Sequence, residues 1–220
     1  MTTLRVKICG ITQVDQGAAI AQMGASALGF ICVPDSPRYI PPAQIRAIAE
    51  PLPPAVARVG VFANADLDTI KDVVSAAGLT AIQLHGDEST EFCQTLRDHV
   101  PNTELIKALR IHTVDAQTMA QPYLNVVDTL LLDAYHPTLR GGTGHALNWD
   151  ALRRFHPPIP WLLAGGLNPN NVLEALGTLS PNGIDLSSGI ERAPGDKAID
   201  QVALLFSRLT LHGYQCRWGG

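Results

Sequence analysis

The chain has 220 residues, 46% of them hydrophobic, and 16 Lys and Arg against 20 Asp and Glu give a net charge of −4. That balance supplies no positive field for a phosphate backbone or acidic headgroups, and no Lys/Arg cluster supplies one locally, so nucleic acid and membrane surfaces are not expected partners. Its longest apolar runs fall well short of the roughly 18 residues that a spanning helix requires.

The four cysteines, Cys9, Cys32, Cys93 and Cys216, lack CxxC spacing, and no apolar signal stretch follows Met1. Together these features read as a protein of the reducing cytoplasm. The histidines are scattered and none pairs with another at i, i+4, so no metal site is expected.

Short apolar, β-branched runs recur along the chain: Arg5 to Cys9, Ala27 to Cys32, Ala57 to Phe62, Thr80 to Leu84, Glu104 to Leu109, Val127 to Asp133, Trp161 to Ala164 and Gly183 to Ser187. Segments of helical period lie between most of them, such as Asp15-x-x-Ala18-Ala19-x-x-x-Met23, with Thr12 as a capping candidate, and Leu67-x-x-Ile70-x-x-Val73-Val74. Strand and helix alternate, which makes the strands parallel because each helix returns the chain to the same end of the sheet. Eight such units fit a closed (β/α)8 barrel better than an open doubly wound sheet. The pattern predicts one α/β barrel domain over residues 1–209 and a tail over 210–220, disordered or loosely packed, that belongs to no repeat. No GxGxxG or GxxxxGK[ST] follows a strand, so neither a dinucleotide site nor a P-loop is supported. The longest interruption, Ala134 to Leu147, contains His136-Pro137 and Gly141-Gly142-Thr143-Gly144 and reads as a binding loop after the sixth strand.

In such a barrel the active site lies at the C-terminal strand ends, so the residues there are the candidates. Cys9 closes the first strand; it is either a small buried hydrophobe or, with its pKa lowered, a thiolate base. Asp133 closes the sixth, an apolar strand that would otherwise bury a carboxylate without a partner; acid–base work is the favoured reading over capping of the next loop. Gly165-Gly166 and Ser187-Ser188 follow strands seven and eight, where barrels often hold a phosphate on backbone N–H groups. Arg38, between prolines in the loop after strand two, can form a bidentate pair with a substrate carboxylate. His85 either contacts substrate or caps a loop. A thiol and a carboxyl across one pocket suit an isomerase or a lyase working without a metal.

Several segments together, Lys7-Ile8-Cys9-Gly10-Ile11-Thr12, Ser36-Pro37-Arg38, Val59-Gly60-Val61-Phe62, Gln83-Leu84-His85-Gly86, Gly141-Gly142-Thr143-Gly144, Ala164-Gly165-Gly166-Leu167 and Asp185-x-Ser187-Ser188-Gly189-x-Glu191-x-x-Pro194-Gly195, resemble the phosphoribosylanthranilate isomerase family of tryptophan biosynthesis. The resemblance runs in order over about residues 5–209. It implies a (β/α)8 barrel that carries out an Amadori rearrangement, turning N-(5-phosphoribosyl)anthranilate into 1-(2-carboxyphenylamino)-1-deoxyribulose 5-phosphate with no cofactor or metal; the sequence leaves monomer and homodimer both open. By the same resemblance Cys9 is the general base, Asp133 the general acid, Arg38 the holder of the anthranilate carboxylate, and Gly165, Gly166, Ser187 and Ser188 the phosphate contacts. Two segments depart from the family pattern: Leu147-Asn148-Trp149 stands for Phe-Asp-Trp, and Lys197-Ala198 for Lys-Asp. The rival sugar-phosphate barrels, an indole-glycerol-phosphate synthase or a pentulose-phosphate epimerase, want a catalytic lysine with glutamates, or His and Asp metal ligands, which are missing from the expected places. A non-catalytic phosphate-ligand sensor is opposed by the presence of both Cys9 and Asp133.

Strand alternation adds two expectations. If Cys9 faces the pocket, Lys7 points into the barrel and needs an anion there, for which Asp185 on strand eight is the candidate, with Asp133 as a possible extension. Cys9 and Cys32 end neighbouring strands, so an oxidative bridge between them is geometrically conceivable, with Cys93 and Cys216 as bystanders.

Overall fold

A computed structural model describes residues 2–111, 115–133 and 149–216. Eight parallel strands close into a barrel in sequence order: β1 (Arg5–Cys9), β2 (Ala27–Ile31), β3 (Ala57–Phe62), β4 (Ala81–Leu84), β5 (Glu104–Arg110), β6 (Thr129–Asp133), β7 (Trp161–Ala164) and β8 (Gly183–Leu186), which pairs back with β1. Around it lie α1 (Val14–Gln22), α2 (Pro42–Ala49), α3 (Leu67–Ala77), α4 (Thr90–His99), α5 (Ala116–Ala120), α6 (Val172–Thr178) and α7 (Ile199–Leu211). The loop expected from Ala134 to Leu147, with its GGTG run, lies outside the described residues. Among the described residues, no helix is long and apolar enough to cross a membrane.

The strands are buried on both faces, as parallel strands enclosed by helices must be. Outward residues such as Val6, Ile8, Leu28 and Phe30 join one large core beneath the helices, whereas Ala27, Val59, Ala81, Ile106, Leu131 and Leu162 form a separate cluster inside the barrel. Helix boundaries follow local chemistry. The Asp66 carboxylate accepts from the Thr69 amide to start α3, and Gly78, in the left-handed region, ends it. Thr12 does not cap α1; its hydroxyl donates to the Gly195 carbonyl instead.

Register fixes the geometry of the mouth. Cys9 aligns in turn with Gly29, Val59, Ala81 and Glu104, while Arg5 aligns the other way round with Gly183, Leu162, Leu131 and Ala108. These two rows lie four residues apart on β1 and again four apart on β5, a total stagger of eight, which is the shear of this barrel class. Below them Arg5 reaches across to the Glu104 carboxylate, which also accepts from the Thr129 hydroxyl, and this closes the floor.

Several boundaries differ from the sequence pattern, most of them by one residue, and three bear on the site and the tail. The second strand stops at Ile31, one residue before Cys32. The sixth begins at Thr129 because the preceding residues turn: the Val127 amide bonds to Tyr123, and the Asp128 carboxylate accepts from the Leu105 amide. Helix α7 continues past Leu209 to Leu211, and Tyr214–Gln215 pairs in parallel with Thr2–Thr3. Residues 210–215 are thus fastened to the barrel rather than loose, because Tyr214 and Cys216 pack on the core and the Gln215 carbonyl accepts from the Leu4 amide.

Candidate active site

One cavity opens at the C-terminal strand ends, and its lining includes Cys9, Arg38, His85, Asp133, Gly165, Gly166, Ser187 and Ser188. All eight residues singled out in the sequence therefore meet in one place, although they come from six of the eight strand ends and span most of the chain.

Cys9 sits on a buried ion pair. Lys7 Nζ lies 2.9 Å from Asp185 Oδ1, as the alternation of β1 predicts, with the lysine fully buried and the aspartate nearly so. Gly29 makes the room: a Cβ there would lie 2.7 Å from Cys9 Sγ and 3.1 Å from Lys7 Nζ. Burial pulls the Lys7 ammonium down, but the attraction of Asp185 and Cys9 outweighs it, and the net direction is up. Burial pushes the Cys9 thiol up, and Lys7 pulls it back only in part. At rest the thiol is therefore protonated, a correction to the idea of a thiolate held ready by its surroundings.

Asp133 ends β6 facing His85, whose Nε2 lies 3.4 Å from Asp133 Oδ2. Gln83, two residues before His85 on β4, presents its side-chain Nε2 to His85 Nδ1 at 2.9 Å. In this network Nδ1 is assigned as the acceptor of the Gln83 amide, which leaves the ring proton on Nε2, the nitrogen nearer the carboxyl. His85 thus caps no loop by its side chain. Its own main chain is held by the Phe62 carbonyl and by Arg110, whose guanidinium donates to the His85 carbonyl.

Arg38 is locked from one side. Its Nε and Nη2 donate to Glu191, and Nη1 makes no hydrogen bond to a described residue. Glu191 also accepts from Lys197 Nζ at 2.7 Å and from the Gly195 amide. Burial pushes the Glu191 carboxyl up, but the hydrogen bonds from Arg38 and Lys197 prevail and hold it below its ordinary value. Lys197, wholly buried, donates in addition to the main-chain carbonyl of Cys9 and lies 3.4 Å from that of Ser187. One ammonium thereby ties the end of β1, the turn after β8 and, through Glu191, the β2 loop.

The remaining wall is main chain. Gly165 and Gly166 adopt φ of 97° and 64°, a conformation that side-chain-bearing residues rarely enter, and Ser188–Ile190 form a short 3-10 turn. The backbone N–H groups of Gly166, Ser188 and Gly189 enter none of the loop and turn hydrogen bonds among the described residues. Such free amides around a concavity suit an anion.

Sequence reasoning missed Gln83, Glu191 and Lys197. Gln83 had a signal, since it shares a strand face with His85 by period two. Glu191 and Lys197 stand in or beside the motif that carries the resemblance, but nothing local says that Glu191 meets Arg38 or that Lys197 meets the Cys9 carbonyl. The Cys9–Cys32 bridge is not supported: Cys9 aligns with Gly29, so Cys32, just past the end of β2, stands three residues, about 10 Å, further along the chain. All four thiols are free.

A family model described as N-(5'phosphoribosyl)anthranilate (PRA) isomerase matches residues 6–208. The chain is 58% identical over 206 residues to N-(5'-phosphoribosyl)anthranilate isomerase from Trichormus variabilis, covering 94% of this chain and 98% of that protein. It is similarly 58% identical to the Rippkaea orientalis enzyme, over 94% and 96%. Among solved structures, phosphoribosyl anthranilate isomerase from Thermotoga maritima superposes with a TM-score of 0.83 at 37% identity, covering 94% of this chain and 99% of that one. A phosphoribosyl anthranilate isomerase in complex with reduced 1-(o-carboxyphenylamino)-1-deoxyribulose 5-phosphate gives the same TM-score at 34% identity, over 94% and 99%.

Proposed function

The chain belongs to the N-(5'-phosphoribosyl)anthranilate isomerase family, and from that premise we propose that Cys9 and Asp133 are the base and acid with which it carries out the Amadori rearrangement of tryptophan biosynthesis. The observation that carries the assignment is the meeting of a thiol on a buried ammonium, a carboxyl beside a histidine, and a rim of unspent amides in one cavity.

The substrate's phosphate sits on the amides of Gly166, Ser188 and Gly189, with Gly165 and Ser187 shaping the turn. Its anthranilate carboxylate takes the edge of Arg38 that Glu191 leaves unused, a charge-assisted contact with fixed orientation. Asp133, protonated, donates to the ribose ring oxygen; His85 holds the other carboxyl oxygen, leaving the acid proton to the one that faces the sugar. Ring opening gives an iminium, which acidifies the C2–H bond. Cys9, in its thiolate form, then takes that proton and becomes the thiol. The thiolate is a minor species at neutral pH, but the cation above it and Lys7 beside it both favour it once the iminium has formed. The enaminol so produced loses its O2 proton and gains one at C1 to become the ketone.

Every group in this scheme comes from one chain, so the reading serves a monomer and a homodimer alike. Four free thiols fit a reducing compartment, the cytoplasm. The test is turnover of purified Cys9→Ala and Asp133→Asn, each expected to lose about 10²-fold or more with an unchanged circular dichroism spectrum. A variant within tenfold of wild type would remove that residue from its role.

A further inference from the structure

Gln83 is buried, 1% exposed, and lines the cavity from β4. Its amide nitrogen is committed to His85 Nδ1, and its Oε1, also buried, has no hydrogen-bond partner among the described residues. A buried carbonyl oxygen left unpaired is costly and uncommon in a folded protein. The charged side chains of the lining have partners of their own: Asp185 pairs with Lys7, Arg38 pairs with Glu191 through Nε and Nη2, and His85 lies between Gln83 and Asp133. Gln83 Oε1 is thus a fixed acceptor, on a side chain that lines the cavity, which no described residue fills.

We infer that Gln83 Oε1 accepts the C2 hydroxyl of the sugar phosphate, and that Gln83 is a substrate-binding residue which discriminates substrate and enaminol from product. The inference rests on the reading above. There the phosphate is held after β7 and β8 and the carboxylate by the arginine after β2, which leaves the sugar, with C2 over Cys9, against the opposite wall at β4. The substrate carries O2–H, and so does the enaminol, whose O2–H is intact until tautomerisation. When the ketone forms, that proton has left O2 and another has joined C1, so the product offers Oε1 an oxygen without a hydrogen. The acceptor is then orphaned again, and the contact that held substrate and intermediate is lost on the product side. A site built to receive a hydroxyl rejects the analogue lacking it, and this is the physical basis of the discrimination.

The experiment compares two ligands that differ at C2 alone: 1-(2-carboxyphenylamino)-1-deoxyribulose 5-phosphate, a ketone, and its reduced alcohol with the substrate's C2 configuration. Binding of each to the full chain is measured by calorimetry for wild type, Gln83→Met and Gln83→Glu. Wild type is expected to bind the alcohol about tenfold more tightly, the worth of one hydrogen bond that leaves no orphan behind. Gln83→Met, which has no acceptor oxygen, should bring the ratio to near one, whereas Gln83→Glu, which keeps acceptor oxygens, should retain a preference for the alcohol. Equal binding of the two ligands to wild type overturns the inference whether or not either variant folds, and so does an alcohol preference that survives in a folded Gln83→Met. Failure of wild type to bind either ligand would instead overturn the reading on which the inference rests.

Discussion

Lys7 Nζ lies 2.9 Å from Asp185 Oδ1 in the barrel interior, joining the first strand to the last directly beneath Cys9. The pair is set by adjacency, since Lys7 and Asp185 are register partners across the β1–β8 seam. A buried pair of this kind adds little net stability over an apolar pair of similar size, but removing one partner strands the other charge in the interior. Lys7→Met is therefore expected to cost about 3–5 kcal/mol in urea unfolding, and the double variant Lys7→Met/Asp185→Leu much less. A single variant within about 1 kcal/mol of wild type would mean that water reaches Asp185 and that the interior here is not dry.

The same pair sets the chemistry of Cys9. Alkylation of Cys9 is expected to be slow at neutral pH and to rise with a midpoint above the ordinary thiol value of about 8.5, because burial raises the thiol more than Lys7 lowers it. Lys7 favours the thiolate and Asp185 opposes it, so Lys7→Met should move the midpoint further up and Asp185→Asn should move it down. The sign carries over to stability. A thiol whose folded value is raised contributes stability that is complete below the unfolded value and is lost as pH rises through the folded one. Cys93 and Cys216, pushed by burial to about 11, act in the same direction, so the melting temperature should fall on the alkaline side of about pH 8.5. Mass spectrometry of the alkylated peptides across pH reads the midpoints; a Cys9 midpoint below the ordinary value, or unmoved by both substitutions, would contradict the account.

Ala198 occupies the N-cap of α7 with extended backbone and no side-chain cap, at the position where Lys197-Ala198 departs from the Lys-Asp of the family pattern. The first amides of that helix lack the acceptor an aspartate would supply. Ala198→Asp is expected to raise stability by about 1 kcal/mol, a shift of about 2–4 °C in Tm for a domain of this size. Thermal unfolding of the two proteins decides it, and an unchanged or lowered Tm would show that Ala198, buried against its neighbours, leaves no room for the carboxylate in capping geometry.

Periodicity by itself determined the eight strands, their parallel sense and which side chains face inward. The reason is local: a strand alternates faces every residue, so the identities of Arg5, Lys7 and Cys9 already place a cation below a thiol, and an apolar strand ending in Asp133 already aims a carboxyl at the mouth. What periodicity does not contain is how far each strand is slid against the next. Barrel closure sets that stagger, and it puts Gly29, not Cys32, beside Cys9, which removes the bridge that strand order alone allowed. The same long-range geometry brings Lys197 to the carbonyl of Cys9 and Glu191 to Arg38, across sequence separations of 188 and 153 residues. It also leaves Gln83 Oε1 without a described partner inside the cavity. These are consequences of which surfaces meet when the sheet closes on itself, and a buried charge or an orphaned oxygen takes its meaning only from the groups that closure brings, or fails to bring, within reach.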